Sequence, residues 1–239
     1  ITDSRFLQQL LTSWNFDYIV LLAAVASVAD TIVRPLETHE INQNANISII
    51  NVVRKNKLKV KKILFASSAA VYGNNLELPK TEESPIDPLS PYAIDKFATE
   101  RFVIDFGKLY GIPTVCTRFF NVYGPKQNPE SPYSGVLSLI SHAAQTNGKF
   151  KLFGDGTQSR DFVYIDDVVR ALQMLLIQNE DEPTVFNVAT GKATELREVI
   201  AIFKEISGSN FEVIKTDWRQ GDIKESYSDI SKIKEFGFV

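Results

Sequence analysis

The chain has 239 residues, of which 44% are hydrophobic and 23% are charged, as is usual for one large or two small globular domains. Its formal net charge is −3 with acidic and basic residues intermixed, which argues against nucleic acid or an anionic membrane as the main partner. The sequence shows no apolar stretch of about 18 residues or more and no signal-peptide pattern, so we expect a cytoplasmic protein.

In the first half of the chain, apolar runs alternate with helical patterns. In chain order they predict a helix from about Arg5 to Ser13, a strand from Tyr18 to Leu22, a helix from about Glu37 to Lys57, a strand from Lys62 to Ala66, a helix from Pro91 to about Tyr110 and a strand from Thr114 to Phe119. This alternation is typical of βαβ units and predicts a parallel sheet with helices on its faces. The single cysteine, Cys116, lies in the last of these strands, and we expect it to pack in the core.

The second half predicts shorter elements. They are a helix near Gly135 to Thr146, a strand from Lys149 to Phe153, a helix from Asp166 to Gln178, a strand from Thr184 to Val188 and a helix from Thr194 to Ile206. Gly, Pro and Asn are densest from Asn121 to Ser134, which predicts a boundary between a nucleotide-type and a substrate-type layer. We therefore divide the chain into residues 1–122 and 123–239, and expect some elements of the second part to return to the first.

Small and polar residues follow three of the predicted strands. They are Ala23 and Ala24, Ser67 and Ser68, and Asn121. In an open α/β sheet the functional groups gather beyond the carboxyl ends of the strands, so we expect these residues to lie close together.

A tyrosine and a lysine stand four residues apart at the start of the helix predicted from Pro91. Ser90 can cap this helix and Pro91 suits its first turn, which places Tyr92 and Lys96 on one face. A nearby ammonium lowers the pKa of a phenol, so the tyrosine could act as a base near neutral pH. A lysine whose stem packs while its head reaches solvent remains the alternative, and the spacing does not choose between them.

Six segments taken together resemble a known family. They are Leu-Ala-Ala (22–24), Ser-Ser-Ala-Ala-Val-Tyr-Gly (67–73), Ser-Pro-Tyr-Ala-Ile-Asp-Lys (90–96), Arg-Phe-Phe-Asn-Val-Tyr-Gly-Pro (118–125), Gly-Asp-Gly-Thr-Gln-Ser-Arg-Asp-Phe-Val-Tyr-Ile-Asp-Asp-Val (154–168) and Arg-Gln-Gly-Asp (219–222). In this order they resemble the NAD-dependent sugar-nucleotide epimerases and dehydratases of the extended short-chain dehydrogenase/reductase family. The resemblance covers nearly the whole chain. It implies a Rossmann-like doubly wound parallel sheet, a smaller C-terminal α/β substrate domain, NAD as cofactor, a UDP-sugar as substrate and no metal.

The resemblance assigns catalysis to three residues. Tyr92 would remove the proton of a sugar hydroxyl, Lys96 would hold the nicotinamide ribose and lower the pKa of Tyr92, and Ser68 would hydrogen-bond the same hydroxyl. Tyr92 and Lys96 would also line the cofactor. The other cofactor positions would be Ala23, Ala24, Asn42, Ser67 and Phe119.

The resemblance also assigns residues to the sugar nucleotide. Asn121 would contact the diphosphate, and Arg160 and Arg219 would neutralise it, because guanidinium groups suit phosphate oxygens. Asp222 would accept a hydrogen bond from the ribose, and Phe153 would lie beside the uracil. His39 and His142 match no catalytic position, and we interpret them as surface or helix residues.

Three departures from the family pattern matter. A glycine-rich loop that cradles the NAD pyrophosphate is not found in this sequence, and Ile1-Thr2-Asp3 matches a segment after the family's third strand. We therefore expect the first two βα units to lie outside the chain, and NAD binding to be impaired if the molecule starts at Ile1. The family usually has histidine where this chain has Leu21, which we expect to affect packing more than proton transfer.

The third departure concerns the reaction. Dehydratases of the family carry an Asp-Glu pair where this chain has Ala69 and Ala70, so an acid for the leaving hydroxyl is missing and dehydration is disfavoured. Ser226 matches a position that is bulky in enzymes restricted to UDP-glucose and UDP-galactose, so a serine predicts room for an N-acetyl group.

The resemblance thus favours NAD-dependent 4-epimerisation of a UDP-hexose through a transient 4-keto sugar. The alternatives are another NAD-dependent sugar-nucleotide modifier, such as a uronate epimerase, a decarboxylase or a 4,6-dehydratase, and a non-catalytic NAD-binding protein of the same fold. The family commonly dimerises through the tyrosine-bearing helix and the preceding long helix, which implies a homodimer.

Overall fold

The computed structural model describes residues 1–131, 135–178, 182–218 and 223–238. The strands are β1 (Tyr18–Leu21), β2 (Lys62–Ser68), β3 (Thr114–Phe119), β4 (Asn121–Tyr123), β5 (Lys149–Phe153), β6 (Ser159–Arg160), β7 (Phe162–Tyr164), β8 (Thr184–Val188), β9 (Thr194–Glu195), β10 (Glu212–Thr216) and β11 (Glu225–Ser226). The helices are α1 (Ser4–Ser13), α2 (Val28–Val33), α3 (Pro35–His39), α4 (Ala45–Lys55), α5 (Pro91–Tyr110), α6 (Val136–Thr146), α7 (Ile165–Ile177), α8 (Leu196–Ser207) and α9 (Ser231–Glu235). None of these helices is both long and apolar enough to cross a membrane.

The main sheet is parallel, and its strand order is β1-β2-β3-β8. Ser68 at the end of β2 pairs in register with Phe119 at the end of β3, and Phe119 pairs with Val188 of β8. The carboxyl ends of the strands therefore meet along one edge, as expected for an open α/β sheet. The prediction of a parallel α/β sheet of Rossmann-like type is confirmed.

Alternating side chains of the strands supply two hydrophobic cores, one on each face of the sheet. Ile63 and Phe65 of β2 pack with Cys116 on the face covered by α4 and α5, where the cysteine is fully buried as predicted. Leu64 and Val115 point to the other face and pack with residues of α7 and α9. Since successive strand residues point to opposite faces, a run of apolar residues is what a strand buried on both faces requires.

The elements after residue 122 are divided between two places. β8 joins the main sheet and α7 packs on it, whereas α6, α8, β5 and β10 enclose a separate hydrophobic core around Ile140, Phe150 and Phe211. The boundary at residues 122 and 123, and the assignment of these elements to two domains, stay predictions.

Most element bounds lie within two residues of those predicted, and the main difference concerns the long second helix. It consists of α3, a π-helical turn at Glu40–Asn44 and α4. The sequence pattern did not indicate α2, α9, the 3₁₀ turn at Ala69–Tyr72, β10 or the strands of two or three residues. Apart from β10, these segments are too short to show a clear periodicity.

Candidate active site

A cleft of about 510 Å³ opens at the carboxyl edge of the main sheet. It brings together residues from separate elements that the sequence had assigned to catalysis, cofactor and substrate: Ala24, Ser67, Ser68, Tyr92, Lys96, Phe119, Asn121, Arg160 and Ser226. The cleft is also lined by residues that the sequence analysis did not select: Leu22, Ala26, Val28, Ala66, Ala69, Ala70, Phe120, Val122, Gln127, Gly135 and Ile223. Most of these are apolar or small, and no spacing rule distinguishes them from core residues.

The start of α5 presents Tyr92 and Lys96 to this cleft. The Ser90 hydroxyl accepts a hydrogen bond of 3.2 Å from the backbone N–H of Ala93, which caps the helix as predicted. Lys96 is only 3% exposed, and its Nζ donates a hydrogen bond of 2.7 Å to the carbonyl oxygen of Ala66. The alternative in which the lysine head reaches solvent is therefore wrong.

Burial shifts the pKa of both side chains. It lowers the pKa of Lys96 to about 8, although the neighbouring carboxylate of Asp95 raises it in part. Burial also raises the pKa of Tyr92, and a hydrogen bond with the Ser68 side chain lowers it in part. The expected lowering of the Tyr92 pKa is thus not found: its pKa is raised, and the Lys96 ammonium donates its hydrogen bond to Ala66.

Two serines end β2 beside the tyrosine. The Ser68 Oγ accepts a hydrogen bond of 3.2 Å from the backbone N–H of Ala70 and so caps the 3₁₀ turn at Ala69–Tyr72. The Ser67 hydroxyl is buried and has no hydrogen-bond partner within the described part of the chain. A buried hydroxyl without a partner is costly, so its position in the cleft wall fits a polar ligand such as a nucleotide cofactor.

The loop after β1 forms the adjoining wall, and Asn42 holds it from behind. The Asn42 side chain is fully buried, accepts a hydrogen bond of 2.7 Å from the Val25 N–H and donates one of 3.2 Å to the Val25 carbonyl. Asn42 lies in the π-helical turn and does not line the cleft, so its amide positions the loop that does. Ala23 precedes Ala24 in this loop but does not itself line the cleft.

Asn121, Arg160 and Ser226 also line the cleft, and they begin β4, end β6 and end β11 respectively. Ser226 pairs in register with Arg160, so one two-stranded ladder fixes both side chains. Gly135 also lines this region and caps α6, which carries no side-chain cap at its N-terminus. A guanidinium and the N-terminus of a helix each suit an anion, and this cleft is lined by both.

One predicted substrate residue lies outside the cleft lining, and two fall outside the described part of the chain. Phe153 ends β5 outside the cleft lining, with the Lys151 ammonium 4.9 Å from the centre of its ring. Arg219 and Asp222 lie outside the described residues.

A buried polar network, which the sequence analysis missed, supports the floor of the cleft. Arg118 of β3 makes a two-pronged ion pair with Glu100 of α5, with distances of 2.6 and 3.0 Å. Its Nη1 donates a hydrogen bond of 2.8 Å to the Tyr72 hydroxyl, which in turn donates one of 2.6 Å to Asn187 of β8. Burial raises the pKa of Tyr72 to about 12. The network links the strand before Phe119 to the turn after Ser68.

His39 also has a specific partner. Its Nδ1 lies 2.7 Å from Oδ1 of Asp95, the buried neighbour of Lys96 on α5. His39 was interpreted as a surface or helix residue, and the structure adds that it joins α3 to α5. Within the described residues no cluster of histidine, cysteine and acidic side chains could hold a metal ion.

Comparisons with known proteins agree with this geometry. The profile of the NAD dependent epimerase/dehydratase family matches residues 1–189. A protein of Methanocaldococcus jannaschii, provisionally named a UDP-glucose 4-epimerase, is 36% identical over 225 residues, which are 94% of this chain and 72% of that protein.

Two solved structures are also similar. The UDP-glucose 4-epimerase of Thermotoga maritima with UDP-glucose superposes with a TM-score of 0.93 at 32% identity, over 99% of this chain and 76% of that one. The UDP-N-acetylglucosamine 4-epimerase of Methanobrevibacter ruminantium, in complex with UDP-N-acetylmuramic acid, gives a TM-score of 0.91 at 34% identity, over 98% of this chain and 73% of that one.

Proposed function

Because this chain belongs to the NAD dependent epimerase/dehydratase family, we propose that it is a UDP-hexose 4-epimerase that acts through a transient 4-keto sugar. The observation that carries the proposal is the single cleft in which Ser68, Tyr92 and Lys96 face Asn121 and Arg160. Ser68, Tyr92 and Lys96 can move a proton, and Asn121 and Arg160 can bind the diphosphate of a nucleotide sugar.

The cofactor is NAD, and the residues of the cleft fit it. Ala24, Ser67 and Phe119, together with Lys96, line the side that would hold it, and the unpartnered hydroxyl of Ser67 supplies a polar group there. Lys96 uses one of its three donors on Ala66, so others remain for hydroxyls of the cofactor. When bound, NAD takes up a hydride from the sugar carbon and returns it.

Tyr92 handles the proton in this proposal. Its phenolate removes the proton of the sugar C4 hydroxyl and later returns it, while the Ser68 hydroxyl, which lines the same cleft, orients that sugar oxygen. Burial opposes formation of the phenolate, and the Ser68 side chain favours it in part.

Asn121 and Arg160 bind the diphosphate, with the N-terminus of α6 beside them. We extend the proposal to Arg219 for the second diphosphate contact and to Asp222 for the ribose. Phe153 lies outside the cleft lining, so its proposed contact with the uracil requires that the nucleotide extends beyond this cleft. Dehydration is not favoured, since Ala69 and Ala70 line the cleft where an acid would be needed.

Ser226 supports the acceptance of N-acetylated sugars. It lines the cleft and pairs in register with Arg160. Its small side chain leaves room for an N-acetyl group of the sugar, which a larger side chain would exclude. We therefore propose that both UDP-glucose and UDP-N-acetylglucosamine are substrates.

The test is an assay of the full-length protein with UDP-galactose, UDP-glucose and their N-acetyl forms, with deuterium at C4 of the sugar. We expect interconversion within each pair and retention of the deuterium at C4, because the same hydrogen is returned. Loss of the label to water, or no interconversion at all, would contradict the proposed function.

Two variants of Ser226 test the sugar specificity in the same assay. Ser226→Tyr is expected to abolish turnover of the N-acetylated pair and to spare the plain pair, whereas Ser226→Ala, the matched control, keeps the space and both activities. If Ser226→Tyr lowers the turnover of the plain and the N-acetylated pairs equally, the role assigned to Ser226 is contradicted.

We further propose that the protein is a homodimer. The support is a row of exposed apolar side chains on α5, away from the cleft: Ile94, Phe102 and Leu109, exposed by 52%, 38% and 72%. Such a row on one helix face is typical of an interface between protein chains.

A further inference from the structure

Asp161, between β6 and β7, carries a buried carboxylate that the proposed mechanism does not use. It is 0% exposed. Its Oδ1 accepts hydrogen bonds of 2.7 Å from both the backbone N–H and the hydroxyl of Thr190. Its Oδ2 accepts from the N–H of Gly191 at 2.9 Å and from the N–H of Ser228 at 3.3 Å. Both oxygens are therefore fully engaged.

No lysine or arginine of the described chain forms an ion pair with this carboxylate. Burying a charge without a counter-ion is costly unless hydrogen bonds replace the lost water. The four donors supply that replacement, and hydrogen bonds to a charged acceptor are the stronger kind. The arrangement is specific for a carboxylate, because an amide would direct its own N–H groups at two of the donors.

The donors belong to segments that carry the substrate end of the cleft. Ser228 lies two residues after Ser226, and Asp161 itself directly follows Arg160. The backbone carbonyl of Asp161 accepts a hydrogen bond of 2.9 Å from the N–H of Asn121. One residue thus joins the segments of Asn121, Arg160 and Ser226 to the loop after β8.

We propose that Asp161 is a positioning residue of the sugar-nucleotide end of the cleft, which sets the relative placement of Asn121, Arg160 and Ser226. This inference rests on the proposed function, since it names UDP as the group that these residues receive. Asp161 does not line the cleft and acts only through the segments that it joins.

The experiment measures the affinity of the full-length protein for UDP by calorimetry, together with its NAD content, in wild type and in Asp161→Asn. We expect Asp161→Asn to weaken UDP binding by about tenfold or more, as is usual when buried donors lose a charged acceptor. The NAD content is expected to stay at the wild-type level, because the cofactor side of the cleft is built from other segments.

A matched control separates this role from simple loss of stability. Lys62→Met removes another buried charge, whose Nζ bonds to the carbonyls of Leu175 and Gln178 at the end of α7, far along the sheet from Ser68. It is expected to lower the unfolding temperature and leave UDP affinity unchanged. If UDP affinity in Asp161→Asn stays within about twofold of wild type, or falls equally in Lys62→Met, the inference is overturned.

Thr190→Val decides the matter if Asp161→Asn does not fold. It removes only the hydroxyl donor and keeps the shape of the side chain, so we expect UDP affinity to fall by about two- to fivefold. Unchanged affinity in a folded Thr190→Val overturns the inference in that case. Because the readout is UDP binding, a wild-type protein that binds UDP but does not epimerise would refute the proposed function and leave the role of Asp161 standing.

Discussion

Lys96 is a lysine whose charged head lies almost entirely inside the protein. Its exposed fraction is 3%, and the Ala66 carbonyl and the face of the Phe65 ring, 4.9 Å away, replace the water it has lost. This replacement is incomplete, because burial lowers the pKa of the ammonium to about 8. The protein thus maintains a destabilising charge at the one position where the proposed chemistry needs it.

The shift has a consequence for stability. Between pH 8 and the ordinary value of 10.5, the unfolded chain holds the Lys96 proton more tightly than the folded protein, so the free energy of unfolding rises with pH across this window. Lys96→Met removes the effect. Between pH 7.5 and 9.5 we expect the free energy of unfolding of the wild type to rise by about 1–2 kcal/mol relative to that of Lys96→Met.

Chemical denaturation of the ligand-free protein at both pH values measures this gain. Lys108→Met, which removes an exposed lysine of the same helix, is the matched control and is expected to show no comparable change. A difference between wild type and Lys96→Met that does not vary with pH would show that the ammonium is not held in a poorly solvated site.

At the scale of single residues, the sequence predicts the positions of residues that stand next to a recognisable helix start or strand end. Ser68, Tyr92, Lys96 and Asn121 stand at strand ends or helix starts, where capping and sheet rules place them. Asp161 could not be predicted, because its partners lie 29 and 67 residues away in the chain and no spacing rule connects them. Phe153 was assigned by motif alone, and the structure places it outside the cleft.

At the scale of elements, α5 has two distinct faces. The inward face carries Tyr92, Lys96, Thr99 and Val103, of which the last two are fully buried against the sheet. The opposite face carries Ile94, Phe102 and Leu109. The sequence predicted both ends of this helix, since Ser90 caps its start and Gly111 follows its end with a left-handed backbone, φ 62°. The expectation of a dimer through this helix came from the family resemblance alone, and the sequence did not indicate which apolar side chains of α5 would stay exposed.

The proposed homodimer gives that outer face its partner. Phe102→Glu places a charge in the middle of the row and is expected to convert the dimer to a monomer, because a buried carboxylate without a partner opposes association. Light scattering of the purified protein measures the mass. Ile206→Glu on α8, where Ile206 is 81% exposed, is the matched control and is expected to stay dimeric. A monomeric wild type, or a Phe102→Glu variant of unchanged mass, would contradict the proposal.

At the scale of the whole molecule, the parallel sheet accounts for the site. Three strands in register deliver Ser68, Phe119 and the loop after Leu21 to one edge, and α5 crosses this edge with its first two turns. The alternation of strands and helices was sufficient to predict this architecture. The arrangement of the short strands that present Arg160 and Ser226 was not predictable, because it depends on pairing between segments 66 residues apart rather than on local pattern.

The most direct test of the account is the epimerisation rate of Tyr92→Phe in the full-length protein with NAD. The substitution keeps the ring and removes only the hydroxyl, so NAD content and UDP affinity are expected to match the wild type. The turnover rate is expected to fall by about a hundredfold or more, as is typical when a general base is lost. Tyr110→Phe, on the same face at the far end of α5, is the matched control and is expected to keep the wild-type rate. A Tyr92→Phe rate within about threefold of the wild type would contradict the central claim that this phenol moves the proton.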